Sequence, residues 1–101
     1  MQPVKHIVMW NLRGESEQER SANIQKVKLE FESIRNEIPG LKVLEIGVDI
    51  SQIDYACDVV LYSEFESISA LKEYASHPAH LRVRDALGNL RTHRYQVDYL
   101  S

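Results

Sequence analysis

Cysteine is nearly absent: Cys57 stands alone among 101 residues, with only four glycines and three prolines. One thiol allows no internal disulfide and no thiolate metal cluster. The glycines are too few and too scattered for a dinucleotide- or phosphate-binding loop, so no nucleotide or redox cofactor is expected. No apolar run approaches the about 20 residues that cross a bilayer, and the charged opening lacks the apolar core of a signal peptide. These absences lead us to expect a cytoplasmic chain with no membrane partner. Charge of one sign is missing too. Twelve Lys and Arg stand against 15 Asp and Glu, a net charge of −3, with no basic run to meet a phosphate backbone, which excludes nucleic acid as a partner. What remains, 44% apolar and 27% charged, is the composition of one globular domain spanning residues 1–101.

The present signals alternate between strand and helix. Val4 to Leu12 is a strand with His6, Val8, Trp10 and Leu12 on one side and Lys5, Ile7, Met9 and Asn11 on the other, apolar through its middle on both faces. Ser16-Glu17-Gln18-Glu19 is a capping box that opens a helix. Ile24, Val27, Phe31, Ile34 and Ile38 form its apolar stripe, which runs to Pro39-Gly40. Leu41 to Asp49 and Cys57 to Phe65 read as two more strands, with Gly47 marking a bulge. Ser67 caps a short helix carrying Ile68, Leu71 and Tyr74 on one side. It ends at His77, because a residue before proline is pushed out of the helical region. Pro78 opens a further helix to Leu90, and Thr92 to Leu100 is the last strand, alternating His93, Tyr95, Val97 and Tyr99 with Arg94, Gln96 and Asp98.

The order predicts an α+β fold of the split βαβ, ferredoxin-like kind, βαββαβ with the second helix broken. Helices cover one face of such a sheet. Strands that are apolar on both faces therefore require a cover for the other, and a second copy of the chain supplies it most simply. The expectation is a homodimer through sheet faces, with Ile7, Met9, Val60, Tyr62, Tyr95 and Val97 at the interface.

Several pieces occur together in one order: Val4-Lys5-His6-Ile7-Val8, Ile38-Pro39-Gly40-Leu41, Gly47 with Asp49, Phe65-Glu66-Ser67, and Tyr74 followed by His77-Pro78-Ala79-His80. In this combination the chain resembles the stress-responsive A/B barrel (Dabb) family over nearly its whole length. The resemblance implies a dimeric α+β barrel. Members of that family range from proteins with no assigned reaction, through plant stress proteins, to the plant olivetolic acid cyclase. In that cyclase the tyrosine and second histidine of the motif are the catalytic pair and the early histidine lines the pocket. The similarity thus implies Tyr74 and His80 as catalytic residues, and a ligand pocket of His6, Val8 and Trp10, Val27 and Phe31, and Leu61. Arg82, Arg84, Arg94 and Gln96 depart from the cyclase pattern. Arg94 or its neighbours, if turned to the cavity, would suit a carboxylate or phenolate.

The residues themselves support a concrete chemistry. His80 falls near the start of the helix opened by Pro78, where the positive end of the dipole favours a neutral imidazole able to act as general base. It would take a proton from carbon beside a carbonyl while Tyr74 holds an oxygen. The expected ligand is a small, partly apolar metabolite. The alternative is a non-catalytic structural or chaperone-like protein, in which His77 caps the helix, Tyr74 fills core and His6 is a satisfied half-buried histidine. His77 and His80 share a spacing seen among metal ligands, but the proline turns them apart and no third ligand lies near, so no metal site is expected. Arg91, His93 and Arg94 read as solvated surface, divided between two strand faces.

Overall fold

In the computed structural model, which describes residues 2–100, the elements run β1 (Val4–Leu12), α1 (Glu17–Ser33), β2 (Leu41–Val48), β3 (Val59–Phe65), α2 (Ile68–Ser76), α3 (Pro78–Leu87) and β4 (Arg91–Leu100). The strands form one sheet in the order β2-β3-β1-β4, every neighbouring pair antiparallel. This is the ferredoxin-like arrangement expected from the element order. No helix among the described residues is long and apolar enough to cross a membrane.

The core lies between the helices and the sheet. His6, Val8, Trp10 and Leu12 of β1 and Val59, Leu61, Ser63 and Phe65 of β3 point inward and are buried, meeting Val27, Phe31 and Ile34. Trp10 stacks on Phe31 with ring centroids 5.5 Å apart. Ser16 caps α1 by accepting the Glu19 amide at 3.1 Å, while the Glu19 carboxylate reaches back to the Glu15 amide. Helices pack over β2, β3 and β1 and leave the edge strand β4 uncovered, nearly every residue of it exposed.

Four details differ from the sequence expectation. Helix α1 stops at Ser33, where the Ile34 amide bonds back to Phe31 at i−3, and Ile34 and Ile38 reach the core from tight turns. Helix α3 stops at Leu87 because Gly88, at φ 53°, turns the chain. The third strand begins at Val59. The bulge of β2 falls between Leu41 and Val43 rather than at Gly47. Gly47 is small because a Cβ there would come within 2.9 Å of Val60 Cγ1.

On the outer face the register builds two apolar rows across three strands, Tyr62–Ile7–Val97 and Val60–Met9–Tyr95. A row of Glu64, Lys5 and Tyr99 borders them on one side, and Asn11 with His93 on the other.

Candidate functional site

Where β4 lies uncovered, a cavity of about 450 Å³ opens between the sheet and helices α2 and α3. Its floor is His6, Val8 and Trp10 of β1 with Leu61 of β3. Phe31, Ile68, Leu71, Tyr74 and His80 wall it from the helices, and Arg91, Arg94, Gln96 and Asp98 from β4. A larger depression, about 760 Å³, lies on the outer sheet face around Met9, Val60 and Tyr95, and its walls carry no histidine or cation.

The helix break sets the chemistry of the inner cavity. His77 leaves the helical region before Pro78, and its Nδ1 accepts the Ala79 amide at 3.0 Å, so this histidine caps α3. The turn folds His80 back onto Tyr74, six residues earlier, with ring centroids 4.3 Å apart and planes within 24°. His80 Nδ1 lies 3.2 Å from the Ala75 carbonyl oxygen. A carbonyl only accepts, so the ring proton sits on Nδ1 and Nε2 keeps its lone pair. Burial pushes the His80 pKa below 6.5, the nearby charges of Arg91 and Arg84 add to the fall, and the Ala75 carbonyl opposes it. Burial raises the Tyr74 phenol to about 12 against the pull of Arg91 and Arg94. The pair is thus a neutral imidazole beside a neutral phenol. The Tyr74 hydroxyl has no hydrogen bond among the described residues, where no buried side-chain polar atom lacks a partner, so this hydroxyl opens on accessible space.

On the other wall a directed chain of hydrogen bonds runs along β4. His6 Nδ1 donates to Asp98 Oδ1 at 2.5 Å, Gln96 Nε2 donates to Asp98 Oδ2 at 3.0 Å, and the Arg94 guanidinium donates to Gln96 Oε1. The carboxylate holds the proton on His6 Nδ1 and fixes the orientation of the ring. The His6 backbone carbonyl accepts from buried Ser63 at 2.9 Å, which holds the strand in place.

Of the residues singled out from sequence, His6, Val8, Trp10, Phe31, Leu61, Tyr74, His80 and Arg94 meet at this cavity. Val27 does not: it has no exposed surface and belongs to the core beneath the wall. Arg82 faces outward and pairs with Glu37 at 2.7 Å, and exposed Arg84 lies off the cavity wall. The reading of Arg91 as solvated surface is corrected. A bulge skips Thr92, so that Leu12 pairs with Arg91 while Trp10 pairs with Arg94, and both arginines come to the inner side. The Arg91 guanidinium lies 4.9 Å from the Trp10 ring centroid. Asp98 and Lys72 are further cavity residues that sequence reasoning did not place there.

Residues 4–101 match the sequence family described as the stress-responsive A/B barrel domain. Among curated proteins, none matches the chain by sequence. Among solved structures, a dimeric protein of unknown function and ferredoxin-like fold from Bacteroides fragilis is 29% identical, with a TM-score of 0.86 over 98% of this chain and 96% of that one. A hydroxynitrile lyase of Passiflora edulis is 16% identical, with a TM-score of 0.81 over 99% and 94%. A cofactor-independent oxygenase of Streptomyces nogalater is 15% identical, with a TM-score of 0.75 over 100% and 94%. With its sequence matched from β1 through β4 and its fold shared with these structures, the chain belongs to the stress-responsive A/B barrel domain family.

Proposed function

We propose that this protein is a cytoplasmic homodimer that binds a small, partly apolar metabolite between its sheet and helices and acts on it by acid–base chemistry without a cofactor. The observation that carries this reading is the stacked pair of His80 and Tyr74 on the cavity wall, both neutral at physiological pH. His80 Nε2 takes a proton from a carbon made acidic by an adjacent carbonyl. Tyr74 donates its hydroxyl to the oxygen on which negative charge then develops. A cavity of this volume supports ligand binding over a purely structural role, in which side chains would fill the space. A hydroxynitrile lyase shares this scaffold, and so does an oxygenase that is named as cofactor-independent, which supports reading the scaffold's own side chains as sufficient for chemistry. Dimerisation is supported by the apolar rows of the outer face and by the dimeric Bacteroides fragilis relative.

The test has two stages. A panel of aromatic and polyketide-like carbonyl compounds is scored by the rise in melting temperature, since a ligand that binds only the folded state stabilises it. Binders are then incubated in D2O and followed by NMR for exchange of the proton beside the carbonyl. Exchange that requires His80 supports the reading. Binders that exchange equally with His80→Ala end it.

A further inference from the structure

The cavity has a second polar end, on β4, that the His80–Tyr74 pair does not use. The bulge at Thr92 brings Arg91 and Arg94 to the same side of the strand, and both line the cavity. Neither guanidinium meets a carboxylate among the described residues. Arg94 donates to the neutral amide of Gln96. Arg91 lies over Trp10, a contact that uses none of its five N–H donors. The one acidic side chain on the cavity wall among the described residues, Asp98, already accepts from His6 and Gln96.

The charge balance is inverted relative to the rest of the molecule. The chain carries a net −3, yet three cations, Lys72, Arg91 and Arg94, face this cavity against that single carboxylate. Burial works against the charged form of Arg91, and so does the charge of Arg94. A half-buried guanidinium, Arg91, and an exposed one, Arg94, on one side of the same strand end, with no carboxylate partner among the described residues, leave positive charge that an anion entering the cavity would offset.

We propose that Arg91 and Arg94 form an anion subsite that holds the carboxylate of a small planar acid, whose body lies along Trp10 and reaches toward His80. This rests on the reading of the cavity as a ligand site and names the class of ligand. The arginine fork matches a carboxylate in two parallel hydrogen bonds. Trp10 and Phe31, stacked with their planes within 20° of parallel, give the cavity an aromatic lining beside it. A phosphate is disfavoured because the β4 end offers side-chain donors from a strand, with no helix N-terminus or glycine loop to supply backbone amides.

The experiment compares 2-naphthoate, its neutral isostere 2-naphthamide, and phenyl phosphate by calorimetric titration of the full-length protein. The proteins are the wild type, Arg91→Met, Arg94→Met, Arg91→Lys and, as a control away from the cavity, Arg82→Met. In the wild type and in Arg82→Met, naphthoate should bind at least about tenfold more tightly than naphthamide, as expected for losing a charged hydrogen-bond pair. Each methionine variant should reduce that ratio to near one while leaving naphthamide affinity unchanged. Arg91→Lys, which keeps the charge and loses the fork, should fall between and remains informative if a methionine variant fails to fold. Equal binding of acid and amide by the wild type overturns the subsite while leaving the cavity reading intact, as does a preference that survives both methionine substitutions. Tighter binding of phenyl phosphate than of naphthoate overturns the choice of carboxylate. Binding of none of the three probes overturns the cavity reading and the subsite with it.

Discussion

Val97→Asp should convert the proposed sheet-face dimer to a monomer. Val97 sits at the end of the outer row Tyr62–Ile7–Val97, beside Met9 and Tyr95 in the next row, and is 52% exposed in the single chain. Complete burial of a valine side chain contributes about 1.5–3 kcal/mol, so covering the exposed half contributes about 1 kcal/mol. An aspartate at the same point forfeits that and places a carboxylate among apolar neighbours without a partner, adding at least about 2 kcal/mol. A two-fold interface presents the substitution twice, so the loss is about 6 kcal/mol per dimer, some four powers of ten in the dissociation constant. Sedimentation at about 1 μM reads the outcome, because a dimer whose dissociation constant rises from about 1 nM to about 10 μM is mostly dissociated at this concentration. The wild type should sediment at about twice the 11.7 kDa chain mass and Val97→Asp at the chain mass. Leu29→Asp is the control. Leu29, 64% exposed on α1, is the more exposed apolar residue, and it lies on the helix side. A wild type at the single-chain mass refutes the reasoning, and so does dissociation by Leu29→Asp with Val97→Asp still dimeric.

His80→Ala should abolish proton exchange in any bound substrate without loss of the fold, whereas Tyr74→Phe, which keeps the ring stacked on His80, should slow it less or mainly weaken binding; rates from NMR exchange distinguish the two. Activity should fall on the acid side with an apparent pKa below 6.5, since His80 must be unprotonated to act and its pKa is lowered by burial. The same shift makes the unfolded chain bind the proton first, so stability should decline as pH drops through 6.5 toward the folded-state value. His80→Ala should flatten that slope in urea titrations. Gly40→Ala should lower the melting temperature by about 10 °C, since φ of 80° strains any side chain and its Cβ would come within 2.6 Å of the Ala70 Cβ. Gly88→Ala is also strained, by its φ of 53°, but with nothing within 4 Å of the added Cβ it carries no clash and should lower the melting temperature less.

The fold was readable because its signals are local and agree with one another. Two-residue alternation set the inward side of β1, the Ser16 and Ser67 caps opened helices where they were expected, and the strain before Pro78 divided α2 from α3. Element ends were read less well, since Ile34 and Ile38 keep the helical spacing of buried residues while the backbone between them has already left the helix. An apolar stripe reports which residues are inside and does not report the hydrogen bonds that hold them there.

The site divided along the same line. His80 and Tyr74 come from adjacent helices joined through His77, which Pro78 holds out of the helical region, so a short stretch of sequence carries their juxtaposition. His6 and Asp98 are 92 positions apart, and their hydrogen bond follows from the β1–β4 register, which composition and periodicity leave undetermined. Arg91 shows the limit most sharply. Strict alternation places it opposite Arg94, on the outer face with His93, where solvation is the natural reading. One unpaired residue, Thr92, reverses its side and moves a cation from the surface to the cavity wall. The residue that most changes the expected ligand is thus governed by a single bulge. Deleting Thr92 should leave a regular ladder in which Arg91 still pairs with Leu12 on the inner side, next to His93 opposite Asn11 and Arg94 opposite Trp10, so a preference for acid over amide should persist; its loss, with the His80–Tyr74 stack intact, would refute this account of the register.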